Sequence, residues 1–342
     1  ANNGYPSLGN RNITHTIYDN SSTGFIAQQN LRSRVAAITY DNVGDGLYDY
    51  ATHYSYDIHG NVDVLIQENP MFAIPDDRFK RIDYEYDLVS GNVNKVSYQN
   101  QKDDASYHKY YYDADNRITE VLTSKDDVIW KRDARYIYYK HGPLARVELG
   151  DMKVQGIDYA YTINGWLKGV NSNTLLSHRD IGKDGDDQNM HKYTGRDAYG
   201  YSLNYYHNDY NQVFSSGTVD EYFLAKNSEN ELSPLYNGNI SSISGITHQY
   251  DITGGIWKAA PTLSHYSYDQ LNRIVNSNIF TNELVISSNN WFGYQNPGNE
   301  AFNTEYTYDA NGNILNLHRN GKPGQEFMDD LGYKYDRVNP LD

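Results

Sequence analysis

Carboxylates are the side chains of this sequence with the plainest capacity for chemistry. Five adjacent aspartate pairs occur, at Asp76-Asp77, Asp103-Asp104, Asp126-Asp127, Asp186-Asp187 and Asp329-Asp330. Two carboxylates facing each other across a cleft can divide acid and base roles between them. Neighbours along a strand point to opposite faces, so pairs adjacent in sequence do not converge. They suit solvated loops. The segment Gly182-Lys183-Asp184-Gly185-Asp186-Asp187 clusters oxygens of the kind a calcium ion takes, but it lacks the EF-hand spacing. The 11 histidines are scattered, with no metal-binding pair four apart on a plausible helix. With no cysteine there is no thiolate nucleophile, disulfide or zinc–thiolate site. Zinc-protease, serine-hydrolase, phosphate-loop and dinucleotide motifs are missing. The sequence assigns no catalytic residue, no cofactor and no metal ligand.

A different carboxylate recurs. Tyr-x-Tyr-Asp stands at Tyr54, Tyr56, Asp57; at Tyr84, Tyr86, Asp87; and at Tyr110, Tyr112, Asp113. It returns at Tyr266, Tyr268, Asp269; at Tyr306, Tyr308, Asp309; and at Tyr333, Tyr335, Asp336. Degenerate copies occupy Tyr136 to Tyr139 and Tyr159 to Thr162, and weaker echoes end at Asp19, Asp41 and Asp251. Three residues after the fourth position, or four after Asp87, comes glycine or asparagine: Gly60, Gly91, Asn116, Gly142, Gly165, Asn272 and Gly312. Two residues later an apolar residue follows, as at Val62, Val93, Ile118, Leu144, Leu167, Ile274 and Ile314.

The elements that position these residues are β-hairpins. Asp at the first position of a type I turn accepts from backbone amides that follow it. Gly or Asn three residues on tolerates the left-handed conformation that closes a bulged hairpin. Two tyrosines two apart lie on one face of the incoming strand, and the apolar residue begins the return strand. The expected fold is all-β: one continuous array of antiparallel hairpins over residues 1–342, with few or no helices. Met71 to Lys80 and Phe214 to Leu224 are the best short helical candidates. Residues 171–261 carry no full copy and read as diverged repeats with an insertion. Roughly ten hairpins give a ribbon on the order of 100 Å long, which must coil, close or split. Tyrosine supplies 35 of 342 residues, while hydrophobic residues including tyrosine reach only 38%. Tyrosine rings stacked between hairpins therefore replace much of an aliphatic core. A net charge of −15 disfavours nucleic-acid partners, and no apolar run is long enough for a spanning helix.

The repeated Tyr-x-Tyr-Asp-x-x-Gly-Asn/Arg-Ile/Val pattern resembles the RHS-repeat (YD-repeat) family of bacterial RHS toxins, toxin-complex shell proteins and, distantly, teneurins. His53 to Val62 and Tyr306 to Ile314 carry it most fully, and Tyr110 to Ile118 and Tyr266 to Ile274 carry the Asn-Arg-Ile variant. The resemblance implies a hairpin strip curling into a shell wall, and a structural, non-enzymatic role in enclosing or presenting another part of a larger secreted or cell-surface bacterial protein. The implied partners are the remaining repeats and a C-terminal toxin effector of the same polypeptide, with secretion or outer-membrane machinery for delivery. The family's core motif and aspartyl self-cleavage site are not found before Asp342. A rival reading is a cell-surface adhesion module that binds glycan or protein through exposed tyrosine faces.

Overall fold

Alternating side chains separated by turn-forming residues become strands and tight turns. The computed structural model describes residues 12–20, 27–42, 44–177, 179–211, 223, 234–247, 249–250, 257–258, 262–281, 301–322 and 327–335. The fold is all-β and antiparallel. Among the described residues, helix is confined to one turn, α1 (Pro75–Arg78), started by Pro75, whose fixed φ suits a first helical position. Phe214 to Leu224 lies outside the described residues except for Phe223, as do Asp251 and Asp336.

The chain groups into two compact units, and each carries hairpins. The first comprises residues 1–136 with 149–151. Its strands are β1 (Ile13–Tyr18), β2 (Val35–Asp41), β3 (Tyr50–Tyr56), β4 (Val62–Glu68), β5 (Phe79–Tyr86), β6 (Val93–Tyr98), β7 (Ser106–Tyr112), β8 (Ile118–Ser124) and β9 (Lys131–Tyr138), the last two residues of β9 falling in the second unit. Each strand pairs antiparallel with the next in the chain. Many buried positions on these strands are small or polar, with Ile66, Tyr107 and Val121 as larger exceptions. On β3, Ala51, His53 and Ser55 are buried, while Tyr54 on the other face is half-buried. The apolar core is correspondingly small: Leu31, Ala36 and Tyr56, with Ile17, Tyr54 and Val62 packed around them.

The second unit comprises residues 137–148 with 152–342. Its strands are β10 (Leu144–Leu149), β11 (Gln155–Tyr161), β12 (Leu167–Val170), β13 (Tyr199–Asn204), β14 (Ser242–Thr247), β15 (Gln249–Tyr250), β16 (Trp257–Lys258), β17 (Thr262–Tyr268), β18 (Ile274–Thr281), β19 (Thr304–Tyr308), β20 (Ile314–Arg319) and β21 (Asp329–Gly332). Strands β11 to β14 pair in chain order. Strand β14 then pairs with β17, and chain order resumes to β21. The pair β15–β16 is a separate two-stranded ribbon.

One irregularity recurs. Register slips by one residue at Tyr18, Tyr56, Tyr86, Tyr112, Tyr161, Tyr268 and Tyr308, at the turn end of each pair. Such a bulge raises the local twist and redirects the side chain that it leaves unpaired.

Candidate functional site

The repeated motif builds two things, a turn and a seam. In the turn at Asp57, the Gly60 amide donates to the Asp57 carbonyl at 3.2 Å, and the Asp57 amide donates to the Asn61 carbonyl at 2.9 Å. Asp57 Oδ1 accepts from the amides of His59, Gly60 and Asn61 at 2.7–2.8 Å, and Oδ2 accepts from Asn61 Nδ2 at 2.9 Å. Asp309 repeats this with Asn311 and Asn313. Asp113 and Asp269 replace the amide partner with Arg117 Nε and Arg273 Nε, at 2.8 and 2.6 Å. Asp87, whose turn is one residue longer, takes Val89 and Ser90. The closing residues all have positive φ: Gly60 99°, Gly91 74°, Asn116 61°, Gly142 119°, Gly165 80°, Asn272 62° and Gly312 90°. Desolvation works to raise the Asp57 carboxyl, but hydrogen bonds from Asn61, Gly60 and His59 outweigh it and hold it below the ordinary range. Hydrogen bonds from Asn313 do the same for Asp309, and from Arg117 for Asp113. These carboxylates are committed to turn closure.

The seam is made by the second tyrosine of each motif. Tyr86 Oη donates to the Val62 carbonyl at 2.8 Å, Tyr112 to Val93 at 2.8 Å, Tyr308 to Ile274 at 2.7 Å and Tyr335 to Ile314 at 3.0 Å. The acceptor is each time the first residue of the preceding return strand. Tyr56 follows the same rule, reaching Val35 at the start of β2. Tyr268 reaches Ile240, just ahead of β14. Tyr205, which belongs to no motif, reaches Leu167 at the start of β12 and carries the seam into the diverged segment. Rings of the pairs Tyr84–Tyr86 and Tyr306–Tyr308 lie nearly parallel with centroids 6.4 Å apart. Motif tyrosines on β3, β5, β7, β17 and β19 are half-buried or buried, whereas Tyr333 and Tyr335, beyond β21, are exposed.

A second assembly, absent from the sequence reading, fills the second unit with buried charge. Asp184, read in the sequence as part of an acidic loop, is 1% exposed. Arg146 on β10 pairs with Asp158 on β11 and places Nη2 2.6 Å from Asp184 Oδ1. Glu148 is fully buried and faces Lys153 Nζ at 3.3 Å and His191 Nδ1 at 3.4 Å. Asp180 accepts from the amides of Gly182 and Asp184, both at 2.9 Å. Burial, against the pull of Arg146, pushes the Asp158 carboxyl up to about 6. Burial, followed by repulsion from Asp180, Asp184 and Asp158, pushes Asp197 up to about 9. The arrangement ties residues 171–198, among whose described residues there is no helix or strand, to β10 and β11. Beside it, Asn173 Nδ2 donates to Ser244 Oγ at 2.7 Å and Ser202 Oγ at 3.1 Å. In the first unit a smaller buried group joins His53 Nε2 to Glu68 Oε2 at 2.8 Å, with Arg78 Nε on Glu68 Oε1 at 2.9 Å. Among the described residues no set of three or more His, Asp or Glu side chains is arranged to hold a metal ion. No described helix is long and apolar enough to cross a membrane.

No family model and no curated protein matches the chain. Solved structures do. A crystal structure of TcdB2-TccC3 without the hypervariable C-terminal region matches at 12% identity and a TM-score of 0.39, over 95% of this chain and 15% of that one. A crystal structure of TcdB2-TccC3 matches at 12% identity and 0.31, over 88% and 16%. The Photorhabdus luminescens Tc holotoxin pore matches at 10% identity and 0.28, over 87% and 16%. The chain therefore spans about a sixth of the length of each of these chains.

The turn residues Gly60 to Gly312 and the motif Asp residues up to Asp309 come together hairpin by hairpin. Within each unit they form a series along the paired strands. Sequence reasoning missed the phenol-to-carbonyl seam, the role of Tyr205, and the buried group around Arg146. Leu167, already matched to the return-strand position by spacing, was the available signal for Tyr205.

Proposed function

We propose that the chain is a structural, non-enzymatic segment of an RHS-type β-shell, part of a larger secreted or cell-surface bacterial protein. Its role is to enclose or present another part of that polypeptide, such as a C-terminal effector. The observation that supports this is the seam: hairpin after hairpin is closed by a turn of the same kind and tied to an earlier strand by one phenol hydroxyl. Chemistry spent this way holds a sheet together and leaves the repeated carboxylates no substrate to act on. Tyrosines packed between hairpins likewise weigh against a glycan-binding face. The partners are the flanking repeats and the enclosed segment, with secretion or outer-membrane machinery for delivery.

The test uses the full polypeptide from which the chain comes. Limited proteolysis should leave the segment after the repeats intact. Triple replacement Tyr86→Phe, Tyr112→Phe, Tyr308→Phe, which loosens the seam, should expose it. Equal digestion of that segment with and without the repeats would overturn the reading.

A further inference from the structure

Three side chains of the second unit form a buried group that neither the repeated motif nor the seam uses. Lys168 Nζ lies 2.8 Å from Asn204 Oδ1 and 2.7 Å from Asp209 Oδ1. All three residues are buried, at 4%, 7% and 6% exposure. Asp209 is held by the Tyr205 amide, which donates to its Oδ2 at 2.9 Å. Asn204 is held through Nδ2, which donates to Ser242 Oγ at 3.0 Å. The carbonyl of Asn204 is thereby turned toward the lysine and its amide nitrogen away. Tyr205, itself buried, packs against Trp166 with ring centroids 5.0 Å apart and helps to close the site.

The bulge explains how a lysine comes to be there. On β12, Gly169 faces Ala160 and Leu167 faces Tyr161, so Lys168 is the residue left without a partner. The equivalent residue in the other pairs bulged at the turn end is Ala36, Asp63, Asn94, Thr119, Val275 or Leu315. Of those only Ala36, small and apolar, is buried; Lys168 is buried and carries a charge. A bulge is a device for redirecting one side chain, and here it sends a cation inward.

The geometry points to an intramolecular isopeptide bond between Lys168 and Asn204, formed with Asp209 as the proton carrier. Within the ion pair, Nζ gives a proton to Asp209, leaving a neutral amine beside a carboxylic acid. Nζ attacks Cγ of Asn204, and the carbonyl electrons move to Oδ1. Asp209 delivers its proton to Nδ2 and, as a carboxylate again, takes the second proton from Nζ. The Cγ–Nδ2 bond breaks, ammonia leaves, and the C=O re-forms as a secondary amide. The lysine amine and asparagine carboxamide become one amide and one ammonia, with no oxidant or reductant. Burial lowers the basicity of Lys168, against the pull of Asp209, and so favours the nucleophilic form. Fixing amine and amide in contact makes the attack unimolecular.

The test is the intact mass of the freshly purified 342-residue chain under denaturing conditions. We expect a mass lower than the sequence formula by one ammonia, and a tryptic digest in which the peptides holding Lys168 and Asn204 remain joined. Lys168→Met and Asn204→Ala should each restore the full formula mass. Asp209→Asn should also give the full mass while its circular dichroism matches the parent. A parent chain at full formula mass overturns the proposal and leaves Lys168–Asp209 as an ion pair. An ammonia loss that persists in Lys168→Met also overturns it, since it then comes from ring closure at another asparagine.

Discussion

Gly312 is the cleanest place to measure what the repeated turn requires of its sequence. Its φ is 90°, and a Cβ built there would meet nothing within 4 Å. A side chain at Gly312 therefore adds backbone strain without a clash. At Gly60 the same Cβ would lie 2.6 Å from Arg34 Nη2, which mixes the two effects. Left-handed backbone costs a residue with Cβ about 1–2 kcal/mol. Restricting the unfolded chain returns roughly half a kcal/mol, so Gly312→Ala should cost about 1 kcal/mol. Branching at Cβ places Gly312→Val near the top of the range, at about 2 kcal/mol. Asparagine already fills this position in two other hairpins, as Asn116 at 61° and Asn272 at 62°, so Gly312→Asn should be nearly neutral. Native-state hydrogen exchange reads the effect locally. Amides of the β19–β20 hairpin should exchange roughly 5–30 times faster in Gly312→Val and at parental rates in Gly312→Asn. Equal rates for the valine and asparagine variants would refute the left-handed turn.

Three further outcomes are expected. Tyr86→Phe removes the bond to the Val62 carbonyl; it should destabilise the β3–β6 region by about 1 kcal/mol, read as faster exchange there, while leaving β19–β20 unchanged. Glu68→Gln weakens the group shared with Arg78 and His53, and should cost roughly 1.5–3 kcal/mol by urea unfolding, toward the lower end because Arg78 is half-exposed. Burial works to raise the Glu68 carboxyl, but Arg78 and His53 outweigh it and lower it, so its contribution is present above the ordinary glutamate range and lost on acidification. Asp158 and Asp197 act in the opposite sense. Held at about 6 and about 9 against an ordinary 3.8, they keep protons when folded that the unfolded chain has released. Their contribution is therefore greatest at acidic pH and falls as pH rises through those values. The urea midpoint should drop between about pH 5 and about pH 8, and Asp197→Asn should flatten that slope.

What the sequence displays is what short-range geometry controls. Asp57, Gly60 and Val62 lie within one turn, and their side chains and φ preferences act on neighbours only a few residues away. Tyr54 and Tyr56 declare a shared face by their spacing. The seam is invisible at that range because its acceptor is a carbonyl, which every residue carries. Only the strand order places the Val62 carbonyl beside Tyr86. Residues 171–198 misled for the opposite reason. Asn, Ser, Asp and Gly in a row have the composition of a solvated loop, and Asp184 looks exposed until Arg146, 38 residues earlier, is brought against it. Burial there follows from long-range charge pairing, which no local pattern announces. Asp336 lies outside the described residues, although Tyr335 of the same motif makes the seam bond.

The seam also has a direction in time. Val35 precedes Tyr56, Val62 precedes Tyr86, Val93 precedes Tyr112, Leu167 precedes Tyr205, Ile274 precedes Tyr308 and Ile314 precedes Tyr335. Tyr139, which reaches forward to the Tyr159 carbonyl, runs the other way. A chain emerging from the ribosome N-terminus first thus presents each of those earlier carbonyls before the hydroxyl that will claim it. Except at Tyr139, the hairpins joined by these bonds find their docking point already made and have no need to wait for sequence still to come. Assembly can proceed as a zipper closing behind the ribosome, and the unpaired edge at any moment is the one about to be covered.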